Sequence, residues 1–273
     1  MTSEVGFWQV PGEELIFPSH HVDVWRVELD SGEPAGEDWQ RVLAPDELAR
    51  ASRFHFDRDR NRYVRCRLAL RNLLGSYLQV LPGEIRFRYE SRGKPEIDDA
   101  LNPRSLRFNV AHSGGLALIA IGSGRTMGVD VERIRPMPDL LNIARRFFSA
   151  REVQAILTIS EDKRTEAFFA CWTRKEAFLK ATGEGLSHPL GSFSVSVDPH
   201  AAAELWEVGG NEETAGRWRL TDVIPDKGYR GALACDGEPG HVAQWIFDPL
   251  CIYRVNQTAE QSVSFLAKGP PQL

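Results

Sequence analysis

Hydrophobic and polar positions alternate with period two along 20–29, HHVDVWRVEL, which predicts a strand. The polar run SGEPAGEDW that follows predicts a loop, and 38–42 a short helix. At Ala44-Pro45-Asp46-Glu47, a proline in the first turn and acids just inside it mark a helix start. The helical pattern then runs to Tyr77, with a break near Phe56-Asp57. Leu81-Pro82-Gly83 predicts a turn, 85–89 a strand, and SRGKP at 91–95 a tight turn carrying two cations. Leu106 to Val110 and Leu116 to Ile121 predict two apolar strands, joined by the small-residue turn Ala111-His112-Ser113-Gly114-Gly115. Past a loop at 122–125, GVDVE at 128–132 lies in a further strand. The period lengthens to helical over 139–148. Ser149, with Glu152 three residues on, forms a capping box for the next short helix. A long helix is expected over 161–181, strands over 193–197, 218–223 and 231–235, and one or two more within 242–253.

The pattern is densest in FFACWTRKEAFLKATGEGL, 168–186. Trp172, Glu176 and Lys180 follow one another every four residues and share a helix face, with Lys175 beside Trp172. Gly183 and Gly185 stop the helix, as residues free to take a left-handed cap conformation do. Upstream, Asp130 and Glu132 stand two apart on a strand, so both point to one side and Val131 to the other.

Composition narrows the class without naming it. The 273 residues suffice for one large or two ordinary domains, and 42% hydrophobic with 26% charged residues builds a sizeable core. A net charge of −5 gives no case for nonspecific nucleic-acid binding. No apolar run reaches transmembrane length, and the N-terminal stretch lacks the basic-then-apolar pattern of a secretory signal. Cys66, Cys171, Cys235 and Cys251 are widely spaced without a CxxC pair, so free thiols in a reducing cytoplasm are expected.

Two neighbouring carboxylates repel unless a proton or cation lies between them. A hard cation such as Mg²⁺, which takes one or two protein carboxylates and fills its shell with water and phosphate oxygens, suits Asp130 and Glu132, with Glu176 as a third donor. Without His or Cys in the set, zinc does not suit it. Arg50, Lys94, His112, Lys175 and Lys180 are cationic or hydrogen-bonding candidates for a phosphorylated substrate. An exposed strand edge and a solvated, salt-bridged helix face are the plainer alternatives.

With RGKP at 92–95, FNVAHSG at 108–114, GVDVE at 128–132 and WTRKEAFLKATGEGL at 172–186, the chain resembles the larger, pseudo-dimeric phosphopantetheinyl transferases over roughly Leu43 to Val197. The last two motifs, in this order and separation, are specific; the first two are weak alone. The resemblance implies an α+β fold of two similar lobes, each a long helix on a small, mainly antiparallel sheet. The expected lobes are 1–124 and 125–253, with a polar extension over 254–273. It implies transfer of the phosphopantetheine arm of coenzyme A to a serine of an apo acyl or peptidyl carrier protein, releasing adenosine 3′,5′-bisphosphate. Asp130, Glu132 and Glu176 are then the Mg²⁺ ligands. Glu176 is also the first choice of base, and Lys180 and Lys175 partner the pyrophosphate. Arg50, Lys94 and His112 would meet the phosphates of the adenosine half, and Arg92, Gly93, Asn109 and Ala111 would line the nucleotide pocket beside Asp130 and Lys180. Many relatives carry serine where this chain has Ala111, so a hydroxyl contact is lost there and a backbone N–H would have to serve. The expected protein is a cytoplasmic monomer whose carrier partner is acidic around the modified serine, with no nucleic-acid or membrane partner. Two other functions use the same residues: a metal-dependent phosphohydrolase, and a noncatalytic coenzyme A or carrier-binding module.

Overall fold

The computed structural model describes residues 7–12, 15–31, 39–89, 93–185 and 188–249. The first half holds strand β1 (Val22–Glu28), helices α1 (Trp39–Val42), α2 (Pro45–Ala51) and α3 (Asp57–Leu78), and strands β2 (Phe87–Tyr89), β3 (Pro95–Ile97), β4 (Leu106–Ser113) and β5 (Leu116–Ser123). The second half holds β6 (Met127–Arg133), α4 (Leu140–Phe147), α5 (Ala150–Thr158), α6 (Arg164–Thr182), β7 (Phe193–Val195), β8 (Leu205–Val208), α7 (Glu212–Gly216), β9 (Trp218–Val223), β10 (Tyr229–Asp236) and β11 (Val242–Ile246).

Two sheets dominate, ordered β11-β1-β5-β4 and β6-β10-β9, with antiparallel neighbours except for the parallel pair β1 and β11. Each carries a long helix on one face. On the first sheet, Trp25, Val27, Ile119 and Ile121 meet Leu70, Leu73, Leu74 and Tyr77 of α3. On the second, Ala232 and Ala234 meet Phe178, Ala177 and Ala181 of α6. The opposite faces close on each other, Val22, Val24, Leu118 and Ala120 against Val129, Val131 and Leu233. Strands covered on both faces become continuous apolar runs, which is why 116–121 reads LALIAI. The α+β architecture with two helix-backed sheets is therefore as the resemblance implies. The lobes do not divide cleanly at the middle of the chain: β11, expected in 125–253, returns to the first sheet beside β1. Among the described residues, no helix is long and apolar enough to cross a membrane.

Local chemistry explains the helix ends. Ser149 Oγ accepts from Glu152 N at 3.2 Å, and Glu152 Oε2 accepts from Ser149 N at 2.8 Å, the reciprocal cap that starts α5. α6 stops at Gly183, whose φ of 72° is left-handed and whose N–H reaches Leu179 O. The Ala111-His112-Ser113 stretch, expected in a turn, continues β4; only Gly114-Gly115 turn the chain.

Candidate functional site

The site lies where α6 crosses β6. On β6, Val129 and Val131 face the first sheet, so Gly128, Asp130 and Glu132 face α6. Gly128 sets the closeness of that crossing: a Cβ there would stand 2.2 Å from Ala177 O and 2.3 Å from Ala181 N. The helix can thus lie directly on the strand, with Lys180 and Glu176 over the two acids.

Lys180 Nζ donates to Asp130 Oδ1 at 2.6 Å. Burial, reinforced by repulsion from Glu176 and Glu132 and only partly offset by Lys180, pushes the Asp130 carboxyl up to about 7. Burial also raises the Glu176 carboxyl; Lys180 opposes the shift and Glu132 adds to it. The three acids therefore feel one another. Asp130 Oδ2 and Glu176 Oε1 are buried without a hydrogen-bond partner. Buried acceptors left so are costly, and hard oxygen donors in a mutually repelling set suit a hard divalent cation. Glu132 Oε2 accepts from Ser113 Oγ at 2.6 Å. Among the described residues, no group of three or more His, Cys, Asp or Glu converges as a ready-made metal cluster. The unpartnered oxygens of Asp130 and Glu176 fit a cation whose shell water and substrate oxygens complete.

Lys175 is a correction. One residue along a helix turns about 100°, and Lys175 points into the core rather than toward Glu176. Fully buried, it donates to Glu152 Oε1 and to Phe193 O, both at 2.6 Å. Arg174 is likewise buried, paired with Asp222 at 2.9 Å. In Glu152 the sequence showed a helix cap; its second role as counter-ion to Lys175 had no local signal.

β4 sorts its residues by alternation. Val110 faces α3 and His112 follows on that side, while Asn109, Ala111 and Ser113 turn toward the second sheet. His112 lines a hollow of about 440 Å³ with Arg50, Arg62, Tyr63 and Arg67. Desolvation first, then the charges of Lys180 and Arg50, lower the His112 imidazole, which keeps an exposed edge. A larger hollow of about 920 Å³ adjoins it, sharing Arg50, Tyr63 and Arg67 and adding Arg53, Tyr89 and Gly93. Arg50 is exposed, its guanidinium 5.3 Å from the Tyr63 ring centroid. Gly93 is exposed with φ of 81°.

Other expected nucleotide contacts are engaged elsewhere. The Ala111 side chain is packed between the sheets. Asn109 Oδ1 accepts from Val129 N at 2.8 Å and ties β4 to β6. Lys94 Nζ donates to Lys180 O at 2.7 Å, at the end of α6. Arg92 lies outside the described residues. Cys66, Cys171 and Cys235 are free and buried.

Two family models match the chain. One, described as the 4'-phosphopantetheinyl transferase superfamily, matches residues 126–234. The other, described as 4'-phosphopantetheinyl transferase, N-terminal, matches residues 31–123. The chain is similar to 4'-phosphopantetheinyl transferase HetI of Nostoc sp., 39% identical over 230 residues that cover 84% of this chain and 94% of that one. A putative 4'-phosphopantetheinyl transferase of Synechocystis sp., slr0495, is 37% identical over 80% of this chain and 89% of its own. The 4'-phosphopantetheinyl transferase Sfp of Bacillus subtilis is 34% identical over 62% of this chain and 74% of its own.

Proposed function

The chain belongs to the 4'-phosphopantetheinyl transferase superfamily, and we infer that its cleft is where the phosphopantetheine arm of coenzyme A passes to a serine of an apo carrier protein. The observation that carries this is the set of three mutually repelling acids with Lys180, whose charge also reaches His112 in the arginine-lined hollow. Arg50 and His112 would hold the phosphates of the adenosine half, and Gly93 would let the backbone approach the nucleotide. Lys180 would neutralise charge on the pyrophosphate, the term that dominates much phosphoryl chemistry.

Glu176 is the base in this mechanism. A serine hydroxyl must lose its proton as it attacks, and Glu176, whose buried Oε1 has no hydrogen-bond partner, is the carboxylate placed to take it. The serine oxygen bonds to the β-phosphorus, its proton passes to Glu176, and the bond from that phosphorus to the bridging oxygen breaks. The electron pair leaves with adenosine 3′,5′-bisphosphate. Asp130 and Glu132, with Glu176 as third donor, would hold Mg²⁺, which when bound supplies positive charge to the phosphate oxygens. The acids belong to the second half of the chain and the arginine-lined hollows to the first, so one chain carries both parts and we take the enzyme to be a monomer. The buried free thiols fit a reducing compartment, and we assign the enzyme to the cytoplasm.

The test is incubation with coenzyme A, Mg²⁺ and apo carrier proteins, followed by mass spectrometry. The carrier gains the mass of one phosphopantetheine arm, and chelating the metal stops the gain. No gain on any of several carriers would sink the assignment; phosphate released without a carrier would instead indicate a hydrolase.

A further inference from the structure

Lys94 looks by sequence like a phosphate contact, but its ammonium is committed to the opposite lobe. Nζ stands 2.7 Å from Lys180 O, 3.3 Å from Ala181 O and 3.4 Å from Met127 O. The first two carbonyls belong to the last turn of α6, where intrahelical donors run out and the helix dipole is negative, so a cation is favoured there. The third belongs to the first residue of β6.

These contacts close a ring through the site. From Met127 the strand runs three residues to Asp130. Asp130 Oδ1 accepts from Lys180 Nζ at 2.6 Å. The Lys180 backbone carbonyl returns to Lys94. Gly128 lies inside this ring and permits the close crossing. One ammonium therefore fixes the end of α6 against the start of β6, and with them the aim of Lys180. On either side of Lys94, Gly93 and Pro95 line the hollow of about 920 Å³, while the Lys94 side chain turns to the helix. Arg50 and Arg53 also line that hollow, so its positive charge does not depend on Lys94.

We propose that Lys94 is a positioning residue for Lys180, acting on the transfer step rather than on the affinity for the adenosine 3′-phosphate. This role rests on the transfer proposed above. Its removal frees the last turn of α6 and lowers kcat; the nucleotide contacts are left in place.

The experiment is a double-mutant cycle of Lys94→Met and Lys180→Met, run with coenzyme A and with dephospho-coenzyme A on protein whose folding is checked by melting. Lys94→Met is expected to lower kcat by about tenfold or more, equally for both substrates, with KM changed by less than about threefold. In the Lys180→Met background the further loss is expected to fall below about twofold, because the two residues act through one interaction. Lys94→Arg, which keeps cationic donors for the carbonyls, recovers most of kcat. Two results overturn the role: a loss confined to KM for coenzyme A and absent with dephospho-coenzyme A, or a loss undiminished in the Lys180→Met background. If Lys94→Met does not fold, Lys94→Gln is carried through the same cycle and judged by the same two results. Wild-type transfer, measured in parallel, keeps the outcomes apart: its absence removes the function itself, whereas its presence with an undiminished loss removes only the positioning.

Discussion

Lys175 and Glu176 are adjacent in sequence and opposite in task. Lys175 is fully buried against Glu152 and two phenylalanine rings, so its charge is a structural one. Breaking a buried pair by deleting one partner costs about 3–5 kcal/mol, because the other charge is stranded. Lys175→Met should therefore lower the melting temperature sharply while the folded fraction keeps its kcat. A normal melting curve with lost turnover would return Lys175 to the catalytic set. His112 titrates in the other direction from the acids. Its depressed pKa leaves it neutral in the free enzyme at pH 7, while a bound phosphate dianion favours the imidazolium. Binding then takes up a proton, so coenzyme A should bind more tightly as the pH falls from about 8 toward 6. Calorimetry should show this slope flattened in His112→Ala, and weaker for dephospho-coenzyme A; a slope unchanged in His112→Ala would remove His112 from the phosphate site.

α6 and β6 make the site as a pair, and Gly128 decides their spacing. The atoms a methyl would meet, Ala177 O, Ala181 N and Lys180 C, are backbone and cannot swing aside. Gly128→Ala should push the helix off the strand, cost about 1–3 kcal/mol in thermal unfolding, and reduce transfer by more than the stability loss explains, since Lys180 and Glu176 move from Asp130 together. Equal activity per folded molecule would show that the spacing is not critical. This pair was legible in the sequence because each half has a regular period: alternation put Asp130 and Glu132 on one face, and the four-residue repeat put Glu176 and Lys180 on another. The turn holding His112 was misjudged because Ala, His and Ser carry no strong strand preference, and pairing with β5 extended β4 through them. β3 and β8 escaped notice because each is short and pairs with one neighbour only. The partners of Lys175 and Lys94 lie far along the chain, at Glu152, Phe193, Lys180 and Met127, and no local period encodes such contacts.

At the scale of the whole molecule, the acids lie between β6 and α6 while the arginine-lined hollows lie against α2 and α3, and the carrier must reach the acids from outside. The return of β11 to the first sheet stitches the end of the described chain onto its beginning, a long-range pairing that local pattern could not announce. Net charge is −5, so an acidic carrier needs a local basic or apolar patch. α4 offers one. Arg145 and Arg146 are exposed, Arg146 lies 5.2 Å over the Phe147 ring, and Phe147 keeps 38% of its surface exposed while Phe148 is buried. The Phe147 ring meets Trp172 edge-on at 6.3 Å, and Trp172 is one turn from Glu176 on α6. The patch therefore borders the site. Arg164, the first residue of α6, is engaged with Ile159 O at 3.0 Å. If Arg145 and Arg146 steer the carrier, reversing both to glutamate should raise the carrier KM by about tenfold at low salt and flatten its salt dependence, because exposed charges act mainly on association and are screened. Coenzyme A binding measured without carrier should not change. A carrier KM untouched by the double reversal at low salt would place the docking surface on another face of the cleft.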